Sequence, residues 1–225
     1  MALPVTGGQI QSTSSFKYLG IWFDCDLSFE VHCIKLISKV KSKLYLLLRY
    51  PHYRNWKERR ILFFSHIYPL FMYGIECYMH CSSVLRHRLE RLYRKCGRIV
   101  LGNAVAREDV SVYSKLKLLP LRLLFQLRGA IFMYRVIQRG EFSMVADYFV
   151  RLRGEGRHNA DLLLPKLQLE RSRKSIRYWG AKLGKSIPTV IRSSETLVRF
   201  TSEYEVYLSS KVSEYTDTYE LYNFV

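Results

Sequence analysis

The sequence predicts a mainly α protein: a short N-terminal β-hairpin, a basic helical bundle, and a small irregular C-terminal region ending in a last helix. Three observations carry this. β-prone apolar runs, Val5 to Ile10 and Phe16 to Phe23, fall in the first two dozen residues. From Ser28 onward, apolar residues recur at three- and four-residue steps. Glycine and proline then punctuate residues 154–188, at Gly154, Gly156, Pro165, Gly180, Gly184 and Pro188.

The two β-prone runs are joined by Gln11-Ser12-Thr13-Ser14-Ser15, a polar connection, so the expectation is that they pair with each other. Asp24 to Leu27 reads as a turn. Ser28 is a candidate N-cap for a helix to about Arg49. Val31, Ile34, Ile37 with Leu36, Val40 and Leu44 form its apolar face, and Lys35, Lys39, Lys41 and Lys43 fill the other side. Pro51 breaks that helix. Asn55 can cap the next, from Trp56 to about Cys81, with a kink around Pro69.

Ser82 or Ser83 caps a helix that Gly102 stops after Leu101. Leu85, Leu89, Leu92, Cys96 and Ile99 make one apolar seam along it. Arg88, Arg91, Lys95 and Arg98 make a second stripe directly beside that seam. Pro120 suits a helix start. Leu121 to Ile137 is apolar nearly all round and should lie central in a bundle. Arg151 to Arg173 reads as an exposed connection, and Ser175 to Ile191 as short pieces around its glycines and proline. Ser194 is expected to cap the last helix, with Leu197, Phe200, Tyr204 and Tyr207 or Leu208 on one face. The acidic, aromatic end from Tyr215 reads as frayed. The segments expected are thus 1–27 hairpin, 28–149 helical bundle, 150–214 basic C-terminal region and 215–225 tail.

Composition sets the class. The chain has 225 residues, 48% hydrophobic and 24% charged, ordinary values for a folded protein. Its 36 Lys and Arg against 19 Asp and Glu give a net charge of +17, which points to a polyanionic partner. Residues 31–110 hold +11 and 151–199 hold +8, whereas 1–30 and 200–225 are net acidic. The charge therefore decorates folded segments and not a terminal arm. Five cysteines and no secretory leader pattern suggest reduced thiols and a nuclear or cytoplasmic setting rather than secretion. The most apolar stretch, Ile61 to Met79, contains Glu76 and Pro69 and reads as a buried helix, not a transmembrane segment.

Enzyme signatures are few. The chain has no Gly-rich phosphate loop, no dinucleotide fingerprint and no Gly-x-Ser-x-Gly elbow. Asp24 and Asp26 could share a strand face and hold a divalent ion, but capping carboxylates in a turn are the simpler reading. Cys77, His80 and Cys81 lack the second close pair of a structural zinc site, so packing outweighs metal there. His66, on an apolar helix, reads as a hydrogen-bonded core histidine. No catalytic residue, metal or cofactor is assigned. The Arg88, Arg91, Lys95 and Arg98 stripe, with Tyr93 nearby, is either a solvated face with snorkelling side chains or a track for phosphates; the charge of +17 favours weighing the second.

Three blocks resemble a known family. The first is Phe16-Lys17-Tyr18-Leu19-Gly20-Ile21-Trp22-Phe23-Asp24, followed by Leu27-Ser28-Phe29 and His32. The second is Tyr68-Pro69-Leu70 with Tyr73-Gly74-Ile75-Glu76, and the third is the run from Leu89 to Gly102. In order and spacing they resemble blocks of the non-LTR (LINE-type) retrotransposon reverse transcriptases. Gly180 to Pro188 and Phe200 align with a degenerate later element, where Gly184-Lys185 stands in place of the family's Trp-Asn. Tyr78 stands where the family has Trp.

The resemblance implies the end of a polymerase palm, a thumb and the region downstream. It implies a primer-grip-like role for Tyr18, Leu19 and Gly20, and it supports Arg98 directly among the stripe residues. The family's catalytic aspartates lie upstream of these blocks and have no counterpart here, so the chain is expected not to polymerise on its own. The implied partners are RNA and DNA as template–primer duplex, held through phosphates, with upstream palm and fingers where present. The alternatives are a degenerate transposon-derived product with no selected activity, or a basic helical module for protein or membrane-surface interaction.

Overall fold

The computed structural model of the chain describes residues 3–5, 8–10, 12–49, 55–102, 111–151, 164 and 175–214. Among the described residues it is mainly helical, with antiparallel strand pairs at the N-terminal end. The chain divides into two compact units, Met1–Leu92 and Tyr93–Val225.

In the first unit, β1 (Leu3–Val5) pairs with β2 (Gly8–Ile10), and β3 (Ser15–Tyr18) pairs with β4 (Ile21–Asp24). The expectation that Val5 to Ile10 pairs with Phe16 to Phe23 is therefore corrected. Gly8–Ile10 takes Leu3–Val5 as its partner, and the Phe16 to Phe23 run folds back on itself. There Leu19 and Gly20 link the strands as a two-residue loop, with φ of 44° and 87°. Positive φ at both central residues is the signature of a type I′ turn, whose twist matches a hairpin.

Helix α1 (Glu30–Arg49) follows. The expected lysines Lys35, Lys39, Lys41 and Lys43 are all exposed. Its buried face is Cys33, Leu36, Ile37, Val40 and Leu44, which packs α1 toward β4 and the segments that follow. Ile34, expected on that face, is 46% exposed. The reason is angular: Ile34 lies about 100° before the centre of the arc defined by Leu36, Ile37, Val40 and Leu44.

The helix expected from Trp56 to Cys81 is broken into pieces. Asn55 caps α2 (Trp56–Leu62), its Oδ1 accepting from the Lys57 N–H at 3.0 Å. A π-helical turn at Phe63–Ile67 comes next, then α3 (Tyr68–Met72) and α4 (Ile75–Tyr78). Pro69 has no N–H and its ring crowds the carbonyl four residues back, so the widened turn falls just ahead of it. Ser65 Oγ donates to the carbonyl of Ile61 at 2.9 Å. The second break is Gly74, in the left-handed region at φ 64°. His66 sits on the outer side of the π turn and is exposed, not in the core as expected.

Helix α5 (Ser83–Leu101) is continuous. Ser82 caps it, its carbonyl accepting from the Arg86 N–H at 3.0 Å and its Oγ from the Leu85 N–H at 3.4 Å. Leu85, Leu89, Leu92, Cys96 and Ile99 are all buried, so the seam is its inward face. Gly102 ends it with φ 100°.

In the second unit, α6 (Ser111–Leu116) and α8 (Ser143–Arg151) were not anticipated. Helix α7 (Leu121–Gln138) starts after Pro120 and is the centre that its all-round apolar surface predicted. Against it pack α8, α9 (Ile176–Ser186) and α11 (Leu197–Ser210). The short α10 (Thr189–Arg192) lies between the last two in sequence. The short pieces expected over Ser175 to Ile191 are thus mostly one helix. Gly180 and Gly184 are both buried within it, and a Cβ on Gly180 would meet Met133 Sδ at 2.6 Å.

The cap of α11 is Thr196, whose Oγ1 accepts from the Arg199 N–H at 3.2 Å. Ser194, expected in that role, is instead buried: its hydroxyl meets Glu203 Oε2 at 2.7 Å and its carbonyl accepts from Tyr134 Oη at 2.7 Å. Phe200, Tyr204 and Leu208 form the buried face of α11, with the Phe200 ring 4.5 Å from that of Tyr134. The connection expected over Arg151 to Arg173 and the tail from Tyr215 lie outside the described residues, save for Arg151 and the exposed Leu164.

Candidate nucleic-acid interface

Arg88, Arg91, Lys95 and Arg98 lie on one face of α5. At 3.6 residues per turn they occupy an arc of about 80° and a length of about 15 Å. The first three are exposed and Arg98 is half-exposed. Glu90, the only acidic residue in α5, is buried at 3% exposure on another side. The charged groups on the outward face are therefore all cations, a geometry suited to a row of phosphate oxygens. Tyr93, expected near this surface, is turned inward and 1% exposed, so it offers no stacking platform. Arg94 is buried as well and is not part of the stripe.

Tyr18, Leu19 and Gly20 form the tip of the β3–β4 hairpin. Tyr18 is 61% and Leu19 73% exposed. The turn is held from behind by the second sequence block. Tyr73 Oη donates to the Leu19 carbonyl. A Cβ on Gly20 would meet the Tyr73 ring at 3.1 Å, and one on Gly74 would meet Ile21 Cδ1 at 2.5 Å. Leu19-Gly20 and Tyr73-Gly74 are thus one packed unit, and Leu19 is kept in a left-handed conformation that leucine rarely adopts.

The first block continues this logic. Both Asp24 oxygens act as caps: Oδ1 accepts from the Ser28 N–H at 2.6 Å, and Oδ2 from Ser28 Oγ at 3.0 Å and from the Glu30 N–H at 3.2 Å. The carboxylate therefore ties the end of β4 to the start of α1. His32 Nδ1 accepts from the Trp22 N–H at 3.4 Å, and its ring lies 5.3 Å from that of Tyr78. Burial holds the His32 pKa below its ordinary value. Lys35 Nζ stands 4.4 Å over the Trp22 ring.

The thiols behave as core groups. Cys33, Cys81 and Cys96 are buried, Cys77 is half-buried and Cys25 is exposed. A hydrogen bond from the Cys33 thiol to Cys81, together with burial, pushes Cys33 far above its ordinary range, and burial pushes Cys96 up to about 12. Among the described residues, no three His, Cys, Asp or Glu side chains are grouped to hold a metal ion. No helix of the described residues is long and apolar enough to cross a membrane.

Sequence reasoning named the α5 stripe and the hairpin tip but missed the part Tyr73 plays. In the sequence Tyr73 is a motif residue only, and no local pattern relates it to a carbonyl 54 positions away. The Lys35–Trp22 contact was missed for the same reason.

No family model, curated protein or solved structure matches this chain.

Proposed function

We propose that the chain is the end-of-palm, thumb and downstream portion of a non-LTR (LINE-type) retrotransposon reverse transcriptase, and that it binds the backbone of template–primer nucleic acid without carrying out phosphoryl transfer itself. The observation that carries this reading is α5, whose exposed face holds Arg88, Arg91, Lys95 and Arg98 with no carboxylate among them. Contacts of this kind fix the position of a duplex and read no sequence. The packing of Leu19-Gly20 on Tyr73-Gly74 adds support, because two of the three blocks that carry the resemblance meet in space.

In this reading Tyr18, Leu19 and Gly20 face the primer end, and the upstream palm and fingers supply the aspartates that this sequence lacks. The setting is nuclear or cytoplasmic, wherever the template RNA and its DNA copy meet. Binding of a short labelled RNA–DNA primer–template to the full chain tests it. The wild type is expected to bind, and a variant with Arg88, Arg91, Lys95 and Arg98 all replaced by Ala to lose most of that affinity while keeping its circular dichroism. Equal binding of the wild type to phosphatidylserine vesicles would favour a membrane-surface role instead.

A further inference from the structure

The second unit has a basic face of its own. Helix α9 carries Arg177, Lys182 and Lys185 and no acidic residue. Its inward side is Trp179, Gly180, Ala181 and Gly184, all buried. Tyr178, Lys182 and Lys185 lie on the opposite side, within an arc of about 60°. Lys185 is exposed, and Tyr178 and Lys182 are half-exposed. Lys182 Nζ sits 5.9 Å from the Tyr178 ring centroid, so an ammonium already stands over that ring.

The platform is firm. A Cβ on Gly180 would stand 2.6 Å from Met133 Sδ and 3.2 Å from Phe149 Cζ. The absence of that Cβ lets α9 sit directly on α7 and α8, which fixes the direction in which the opposite face points.

We propose that this face of α9 binds an unpaired nucleic-acid strand, with a base stacked on Tyr178 and neighbouring phosphates held by Lys182 and Lys185. A ring between cations has two things to offer a polynucleotide: a π-face for a base and charge for the backbone. Only an unpaired strand can use both, because a duplex keeps its base faces stacked inside. A base arriving on Tyr178 takes the place of the Lys182 ammonium, which moves to the phosphate beside it. This site does not depend on the α5 reading. It lies on another helix and takes a different form of nucleic acid.

The test uses the full chain and a labelled twenty-nucleotide oligouridylate, beside the RNA–DNA primer–template. The Lys182→Ala/Lys185→Ala variant is expected to bind the single strand with a log–log salt slope shallower by about 1.4, at roughly 0.7 per phosphate. Tyr178→Leu is expected to weaken single-strand binding by about 5- to 150-fold, and Tyr178→Phe to retain it. Lys185→Glu, at an exposed position, keeps the test open should the leucine variant unfold; it is expected to weaken binding at low salt. The α5 four-alanine variant is expected to keep its single-strand affinity. Unchanged single-strand affinity and slope in folded Lys182→Ala/Lys185→Ala, or equal affinities for the leucine and phenylalanine variants, would overturn the proposal. A wild type that binds duplex but no single strand would also overturn it and leave the α5 reading standing; the reverse result would remove the α5 reading alone.

Discussion

The Tyr73 hydroxyl donates to the carbonyl of Leu19, at a turn where leucine holds φ 44°. A residue of α3's C-terminal end thereby clamps the tip of a hairpin that precedes it by 54 positions. The left-handed conformation costs leucine about 1–2 kcal/mol. Tyr73, the Gly20 approach to its ring and the β3–β4 pairing together over-determine it. Two substitutions separate these effects. Tyr73→Phe removes only the hydrogen bond and is expected to destabilise the fold by about 1 kcal/mol. Leu19→Asn creates the Asn-Gly pair that a type I′ turn favours and is expected to stabilise by about 1 kcal/mol, since exposed Leu19 gives up little burial. Urea denaturation midpoints check both.

Gly74 presents a steeper constraint. Its φ is 64°, and an added Cβ would lie 2.5 Å from Ile21 Cδ1. Gly74→Ala is expected to cost about 1–3 kcal/mol from strain and overpacking. Ile21→Val removes the clashing methyl. In a double-mutant cycle it is expected to recover part of that loss, and strict additivity would show that the contact does not matter.

His32 should make stability depend on pH. Its Nδ1 accepts from the Trp22 N–H, a role open only to the neutral ring. Burial lowers the folded-state pKa below the ordinary 6.5. The unfolded chain therefore takes up the proton first, and the sign follows: His32's contribution is present above pH 6.5 and is lost as pH falls below it. Denaturation midpoints measured between about pH 7.5 and 5 should fall for the wild type and fall less for His32→Gln.

Thiol reactivity should divide the five cysteines. Cys25 is exposed and is expected to react rapidly with a disulfide reagent in the native protein. Cys33, Cys81 and Cys96 are buried, and burial also holds the Cys33 and Cys96 thiols protonated, so all three are expected to react only on unfolding. Cys77, half-buried and also raised by burial, should be slow. Rapid native titration of Cys33 or Cys96 would show that the core is not packed as described.

What was legible in the sequence was what a single helix encodes. The α5 seam and stripe are both properties of one 3.6-residue period, and both lie where the spacing of Leu85 to Ile99 and of Arg88 to Arg98 puts them. The all-round apolar α7 likewise could only be central. The errors came from relations that periodicity does not carry. The spacing of Ile34 fits the α1 face, but Cys33 occupies that side. The strand partners differ from the expectation because Leu19-Gly20 is an unusual pair for a tight turn, and here Tyr73 supports it from behind. Ser194 resembles a cap in sequence, yet Tyr134 and Glu203 draw it inward and leave the cap to Thr196. The hairpin-tip residues were named from a motif, while the support under them is tertiary and leaves no local trace.

The central claim is that the cations of α5 hold a nucleic-acid backbone. A salt titration of binding to a short RNA–DNA primer–template tests it most directly. Each phosphate neutralised contributes roughly 0.9 to the log–log slope for B-form duplex. The folded wild type should bind with a steep slope, and the variant with Arg88, Arg91, Lys95 and Arg98 replaced by Ala should lose about three to four units of it. A folded wild type that does not bind, or a variant with the wild-type slope, would contradict the claim and leave the stripe a solvated helix face.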